Sequence, residues 1–217
     1  MENKIQLQKH AHVLASNAQE VGSLDRVVLN PDTKVITHIV VRMGALFNKA
    51  DKIVPMVMVT DTTEDLVVLD VDASTVEGMP PFEEEQMTSE ERDAAEVSFE
   101  DKPLVLLGES PASLLLTSDS PETYTIEIVQ NIPEGTVAMK QGAKVISADG
   151  EHIGHVERVL ADASVAQMTH LMISRGILTK EVKLIPTKWI LKIGEENVYL
   201  NENKDSIEGM EGILLAE

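Results

Sequence analysis

The sequence contains no cysteine. Disulfide bonds, thiolate metal sites and cysteine nucleophiles are therefore excluded together, and a reducing compartment suits such a chain best. The sequence also lacks a run of about 18 apolar residues, the length that spans a bilayer, and its first ten residues have no apolar stretch typical of a secretory signal. We expect a cytoplasmic protein without a transmembrane segment, peripheral to a membrane at most.

Aromatic residues are scarce, and basic residues are outnumbered by acidic ones. Aromatics make up 3% of the chain, with Trp189 the single tryptophan, so Val, Ile, Leu and Met must form the core. The 18 Lys and Arg against 37 Asp and Glu give a formal net charge of -19. This charge repels phosphate backbones, and no aromatics are interleaved with the basic residues for base stacking. We expect no direct contact with nucleic acid.

Two stretches of the chain repeat each other, which indicates two copies of one structural unit. Val145 aligns with Val13 at an offset of 132 residues, and the offset falls to 131 after a one-residue deletion near Lys49. Identities at these offsets include Gly22/Gly154, Arg26/Arg158, Thr37/Thr169, His38/His170, Gly44/Gly176, Lys52/Lys183, Pro55/Pro186 and Glu64/Glu195. The chain is thereby divided into repeat 1 (residues 1–79), a connecting segment (80–136) and repeat 2 (137–217).

Short β-branched runs bounded by turn residues predict strands in both repeats. Asp149-Gly150 predicts a hairpin, because glycine adopts positive φ at little cost. Apolar side chains alternate onto both faces around His38, which is typical of a closed or covered sheet. The predicted strands span 21–29, 35–43, 66–71, 153–160, 168–174 and 198–200, with others beginning near Lys52 and Val182. The fold class is therefore all-β, with two small tandem barrels.

Each repeat ends in a pattern that predicts one short helical turn. Ser74 with Glu77, and Asp205 with Glu208, have the spacing of an N-cap and the third helical residue. Gly78 and Gly209 follow where a C-terminal glycine belongs in a Schellman motif. We expect these turns to seal the ends of the two barrels.

The connecting segment is acidic and mixed in character. Pro80-Pro81 interrupts the chain, and residues 88–95 form a second capping pattern that predicts a short exposed helix. The apolar run 124–129 is too hydrophobic for a free linker, so we expect it to pack on a barrel as an added strand. The acidic run at 83–85 is either a solvated face or a docking site for a basic partner.

Two motifs of repeat 2 carry a family resemblance. They are Asp149-Gly150-Glu151-His152-Ile153-Gly154-His155-Val156-Glu157-Arg158-Val159, and Thr169-His170-Leu171 through Arg175-Gly176-Ile177-Leu178 to Lys183-Leu184-Ile185-Pro186. The chain resembles the PRC-barrel family, the small β-barrel found in the H subunit of photosynthetic reaction centres and in the ribosome maturation factor RimM. This resemblance implies a barrel that docks other proteins. The membrane helix of the first and the N-terminal domain of the second have no counterpart here.

Histidines are the candidate site-forming residues. His38 and His170 occupy equivalent mid-strand positions, where they would bind a metal, switch charge near neutral pH or share a structural hydrogen bond. His152 and His155 have a ligand-like spacing, but residues three apart on a regular strand point to opposite faces. We therefore predict no metal site and no cofactor.

The loops after the third strand of each repeat are candidate docking anchors. Leu46 and Phe47 in repeat 1, and Ile177 and Leu178 in repeat 2, are apolar residues beside charged ones. Such residues either contact a partner or tuck under the barrel as a plug. Exposed, they would join the two repeats or form a homodimer.

No phosphate-binding glycine loop, nucleophile elbow or zinc-protease motif occurs in the sequence. We therefore expect a non-enzymatic adaptor or scaffold that docks a protein partner through its barrels. One alternative is a metal- or small-ligand-responsive module using His38 and His170. Another, based on the family resemblance alone, is a peripheral subunit of a membrane electron-transfer complex.

Overall fold

The computed structural model of the protein describes residues 4–44, 50–89, 124–176, 180–210 and 212–215. Within these ranges the chain is all-β, as the sequence predicts, with two short helices. The elements are β1 (Lys4–Gln8), β2 (His12–Leu14), β3 (Glu20–Leu29), β4 (Ile36–Met43), β5 (Ala50–Pro55), β6 (Val59–Thr62), β7 (Leu66–Leu69), α1 (Ala73–Glu77), β8 (Glu83–Ser89), β9 (Tyr124–Gln130), β10 (Val137–Lys140), β11 (Lys144–Ile146), β12 (His152–Asp162), β13 (Met168–Arg175), β14 (Lys180–Pro186), β15 (Ile190–Ile193), β16 (Asn197–Leu200), α2 (Lys204–Glu208) and β17 (Ile213–Leu215).

The strands form two large sheets of related topology. Sheet 1 has the order β5-β4-β3-β2-β7-β6, and sheet 2 has the order β15-β16-β11-β12-β13-β14-β17. The Asp149-Gly150 hairpin is confirmed between β11 and β12, with Gly150 at a φ of 83°. The predicted closure into barrels is wrong: each order has two ends among the described strands.

The first strand of each repeat pairs with the sheet of the other repeat. Strand β1 lies antiparallel to β12, with Ile5 opposite Ala161 and Gln8 opposite Arg158. Strand β10 lies antiparallel to β3, with Val137 opposite Leu29 and Lys140 opposite Arg26. The two registers coincide at the 132-residue offset of the repeat. The repeats have therefore exchanged equivalent strands in equivalent registers.

This exchange replaces the two separate cores that the sequence predicts with a shared one. A single hydrophobic cluster contains buried residues from both repeats, including Leu7 of β1 and Met139 of β10, which are each fully buried. The physical reason is that an exchanged strand extends the sheet that it joins, so its inward side chains add to the core beneath that sheet: Leu7 lies opposite Val159, and Met139 lies opposite Val27. By contacts, residues 1–83 with 130–217 form one compact unit and residues 84–129 another. The domain boundaries proposed from the repeat stay a prediction.

Two equivalent ion pairs reinforce the exchange. Arg26 of β3 pairs with Glu195 of repeat 2, and Arg158 of β12 pairs with Glu64 of repeat 1 at 3.0 Å between Nη1 and Oε1. Arg158 is only 8% exposed, and it also donates to the side-chain oxygens of Gln6 and Gln8 on the exchanged strand β1. The identities Arg26/Arg158 and Glu64/Glu195 thus mark contacts between the repeats.

Gly22 and Gly154 are required for close strand packing. A Cβ added to Gly22 would lie 2.2 Å from the carbonyl oxygen of Arg42, and one on Gly154 would lie 2.7 Å from that of Ser174. Both distances are well inside van der Waals contact with a neighbouring backbone. The identity of these two glycines therefore reflects the same close approach in both repeats.

The predicted helical turns are confirmed, but their caps lie two residues earlier. Asp72 caps α1 through a 2.7 Å bond from the backbone N–H of Thr75, and Asn203 occupies the N-cap of α2. Because the helices begin earlier, Gly78 and Gly209 keep right-handed φ values of −76° and −70°, and no Schellman motif forms.

The identity of Lys52 and Lys183 has a matching explanation at the end of these helices. The ammonium of Lys52 donates to the carbonyl of Met79, and that of Lys183 donates to the equivalent carbonyl of Met210 and to those of Ile207 and Glu208. Each lysine thus holds the chain just after the helix, and Lys183 also satisfies carbonyls at the C-terminal end of α2.

Within the connecting segment, the described residues form strands. The helix predicted for 88–95 stays a prediction, because Thr88 and Ser89 end strand β8 and the residues from 90 onward lie outside the described ranges. The strand expected at 124–129 is confirmed as β9, which pairs with β8 instead of extending a repeat. Among the described residues, no helix has the length and apolar character needed to cross a membrane.

Replacing Arg158 by methionine is expected to lower the free energy of unfolding by about 1–3 kcal/mol, because the glutamines of β1 lose a charged donor. Glu64→Gln should cost less than about 1 kcal/mol, since the Glu64 side chain is 71% exposed and solvent screens the pair. Urea denaturation measures both. Arg175→Met is the matched control, because it removes an exposed ion pair with Glu208. Equal losses of unfolding free energy for Arg158→Met and Arg175→Met would contradict the role of Arg158 in stabilising the exchanged strand β1.

Gly22→Ala is expected to destabilise the protein by at least about 1–3 kcal/mol, since its Cβ meets a backbone that cannot move aside cheaply. Gly154→Ala should have a smaller effect in the same direction, because its contact is longer. Gly78→Ala is the control: its φ is ordinary and its nearest contact is 3.5 Å, so we expect a change within about 0.5 kcal/mol. Thermal unfolding that ranks Gly78→Ala as the most damaging would refute the close-packing argument.

Candidate functional site: the outer faces of the two sheets

The repeated histidine and proline lie in equivalent rows that cross four strands. In repeat 1 the row runs across β10, β3, β4 and β5 and consists of Ala138, Val28, His38 and Pro55. In repeat 2 it runs across β1, β12, β13 and β14 and consists of Gln6, Leu160, His170 and Pro186. We call the surfaces that carry these rows outer face 1 and outer face 2. Each includes one strand contributed by the other repeat.

Both prolines lie where a strand turns into a single 3₁₀ turn. Pro55 (φ −58°) precedes residues 56–58, and Pro186 (φ −69°) precedes residues 187–189. Proline suits this place because its ring fixes φ near these values. Gly44 and Gly176 follow β4 and β13 with positive φ values of 87° and 104°, which glycine adopts most readily.

The docking anchors predicted from the sequence come after β4 and β13 in the chain. Leu46, Phe47, Ile177 and Leu178 lie outside the described residues. Their role in partner binding stays a prediction.

His38 is partly buried on outer face 1. Its Nδ1 is buried and has no hydrogen-bond partner among the described residues, so the structural hydrogen bond considered for this position is absent on that atom. Burial also lowers the pKa of His38 below its ordinary value, because desolvation disfavours the imidazolium.

Outer face 1 is covered by the chain itself. Phe82 and Ile132 pack on Val28, Val40 and Ala138 in a hydrophobic cluster separate from the shared core. Hydrogen bonds hold the covering segment in place: the backbone N–H of Asn131 donates to Phe82 O at 2.8 Å, and Asn30 Nδ2 donates to Gly135 O at 3.4 Å.

Phe82 is also fixed by a charged neighbour. The guanidinium of Arg26 lies 5.0 Å from the centre of its ring, within the range of a cation–π interaction. Val28 and Val40 are consequently inaccessible to solvent, at 0% exposure each. A partner would have to displace this cover to reach them.

Outer face 2 is more exposed at the equivalent place, as far as the described residues show. Leu160, Met172 and Leu184 correspond to Val28, Val40 and Ile53, yet all three are partly exposed, whereas their counterparts are buried. A groove of about 520 Å³ adjoins Leu160 and His170, and its other lining residues are Lys4, Ala161, Asp162, Ala163, Ser164 and Thr169. Met172 and Leu184 lie outside this lining. The sequence did not reveal this groove, since the same apolar pattern occurs in both repeats and only the covering segment differs.

A second histidine pair lies on β12, where the prediction from the spacing of the two residues is wrong. His152 and His155 were expected on opposite faces, but their rings lie 4.7 Å apart, edge to face. A β-bulge is the cause: Val145 pairs with Gly154 while Ile146 pairs with His152, so the strand gains a residue between them.

The histidine pair supplies only two potential metal ligands. Among the described residues, no group of three His, Cys, Asp or Glu side chains is placed to hold an ion. Burial, and then the neighbouring His155, lower the pKa of His152, and the positive charges of Lys144 and Arg175 act in the same direction. A cationic ligand is therefore not favoured at this pair.

The lowered pKa of His38 predicts a pH-dependent part of the stability. Above the ordinary pKa of about 6.5, His38 is neutral in both the folded and the unfolded chain, and stability is unaffected. As the pH falls from there toward the lowered folded pKa, the unfolded chain takes up the proton first and stability decreases. Urea unfolding of the wild type and of His38→Gln between pH 8 and pH 5 measures this. The stability difference between the two proteins should shift in favour of the variant at low pH; a difference independent of pH would contradict the prediction.

One comparison with known families bears on this chain. Residues 139–208 match the model of a family described as "Uncharacterized protein conserved in bacteria (DUF2171)". The match covers β10 from Met139 through α2, which is most of repeat 2 and includes His170, Pro186 and strands β12, β13 and β14 of outer face 2, but not β1. No curated protein matches the chain.

Proposed function

We propose that the protein is a non-enzymatic cytoplasmic adaptor that docks a protein partner on outer face 2. The observation that supports this function is the open apolar face beside His170, for which the same chain supplies a cover in repeat 1. Contiguous exposed apolar surface rimmed by polar groups is typical of protein-binding sites. The resemblance to PRC-barrels favours the same role and remains a proposal.

The charge of the chain narrows the class of partner. A formal net charge of -19 disfavours nucleic acid and anionic lipid surfaces as direct partners. It is compatible with a protein surface that is neutral or basic. The proposed adaptor needs no cofactor, since docking requires only complementary shape and apolar contact.

The alternative functions have less support from the geometry. His38 and His170 lie on the faces of different sheets, so each has its own surroundings. The pair of His152 and His155 is flanked by cationic side chains. A role in a membrane electron-transfer complex rests on family resemblance alone.

The adaptor function is tested by crosslinked affinity capture of the full chain from native cytosol, followed by reconstitution of the complex from purified components. We expect one protein in stoichiometric amount that binds the purified chain directly. Met172→Glu should weaken the complex at least tenfold, because it places a carboxylate in the apolar face. Val165→Glu is the control, since Val165 is already 58% exposed in the turn after β12 and the charge change is the same. Recovery of a tightly bound small molecule and no stoichiometric protein would overturn the adaptor function.

A further inference from the structure

Outer faces 1 and 2 have the same backbone register but differ in what lies on them. Gln6, Leu160, His170 and Pro186 match Ala138, Val28, His38 and Pro55 strand by strand. What packs on one face therefore indicates what the other face can bind. On outer face 1 the packed segment belongs to the chain itself.

The segment on outer face 1 is extended and contacts it through few residues. Asn131 is tied to the neighbouring strand segment through bonds to Phe82 O and Pro81 O, at 2.8 and 2.9 Å. Ile132 then packs against the apolar cluster, and Pro133 lies beside His38 and Pro55 at the edge of a cavity. An aliphatic side chain followed by proline is thus what covers the histidine row.

Outer face 2 has the matching apolar surface, which the described residues leave partly exposed. Leu160 and His170 are direct cross-strand neighbours there, as Val28 and His38 are on outer face 1. Met172 and Leu184 form the next cross-strand pair, as Val40 and Ile53 do. Phe82 lies beside Asp51 of β5, where its backbone N–H donates to Asp51 O. The corresponding residue of β14 is Val182, and Ile213 of strand β17 lies opposite it. Among the described residues, none of those lining the groove plays the part of Ile132 and Pro133.

We propose that outer face 2 binds an extended segment of a partner protein in which an aliphatic residue precedes proline, seated as Ile132-Pro133 is on outer face 1. This proposal rests on the adaptor function and specifies the chemistry of what is docked. The aliphatic side chain contacts Leu160, Met172 and Leu184, and the flexible thioether of Met172 adapts to its shape. The proline limits the conformations of the free segment, which reduces the entropy lost on binding.

The full-length chain and a synthetic peptide test this directly. The probe is Val-Gln-Asn-Ile-Pro-Glu-Gly-Thr-Val, the sequence of residues 129–137. Methyl NMR spectra of the labelled protein are recorded during titration. We expect saturable shifts of the Met172 and Leu160 methyl signals and little change at Val28 and Val40. A second peptide with aspartate in place of the isoleucine should bind at least tenfold more weakly.

Protein variants separate the groove from the rest of the surface. Leu160→Glu should weaken binding of the first peptide at least tenfold, whereas Val165→Glu should leave it unchanged. The thermal unfolding of each variant is recorded to show that it is folded. Should Leu160→Glu fail to fold, Leu184→Gln serves the same purpose at the neighbouring strand.

Three results would overturn the proposal. The first is the absence of shifts at Met172 and Leu160 up to millimolar peptide, and the second is equal binding of the aspartate peptide. The third is a concentration-dependent shift of the same signals without peptide, which identifies a second copy of the chain as the occupant. A stoichiometric partner captured from cytosol together with a negative peptide titration would leave the adaptor function intact and show that a folded surface occupies outer face 2.

Discussion

The reciprocal exchange of strands β1 and β10 is the constraint on which the rest of the structure depends. Each sheet contains a strand from the other repeat, so neither sheet is complete without both halves of the chain. The shared hydrophobic core, the ion pairs of Arg26 and Arg158, and the two histidine rows all follow from this pairing. The two outer faces are held in a fixed relation, because separating them would break two strand pairings and open the core.

The two repeats differ in how far the described part of the chain covers their outer faces. In repeat 1 the chain that leaves through Phe82 and returns through Ile132 seals the apolar surface around Val28. In repeat 2 the equivalent surface around Leu160 remains accessible as a groove. The proposed binding capacity of outer face 2 therefore rests on a difference in cover and not on special residues within the sheet.

The local elements of the fold were predictable from the sequence, whereas the pairing of strands between the repeats was not. The positions of the predicted strands, to within about two residues at their ends, the hairpin at Asp149-Gly150 and both helical turns follow from local patterns, and the structure confirms them. The exchange could not be predicted, because β10 presents the same pattern to β3 as to the homologous β12. The prediction of closed barrels was wrong because apolar residues on both faces of a strand also suit an open sheet. One face then packs on the shared core, and the other lies under a separate outer cover.

The candidate site was also predictable only in part. The identities of His38 with His170 and of Pro55 with Pro186 predicted an equivalent setting in both repeats, which their cross-strand pairs bear out. The pairing of His152 with His155 was missed because a bulge beside Gly154 changes which side chains share a face; a glycine inside a strand is the sequence signal that could have indicated it. The open groove was missed because burial depends on the covering segment and not on the residues of the face.

Cysteine crosslinking tests the strand exchange most directly, since the chain has no native thiol. Gln6 lies opposite Leu160 across the exchanged pair, whereas in an unexchanged arrangement it would lie opposite Val28. Directly opposed residues on antiparallel strands have Cα separations of about 4.5–5.5 Å, which a disulfide can span. The exchange predicts that Gln6→Cys combined with Leu160→Cys forms a disulfide within one chain under mild oxidation, measured by the mass of the monomer. Efficient bonding of Gln6→Cys with Val28→Cys instead would show that each repeat keeps its own strand.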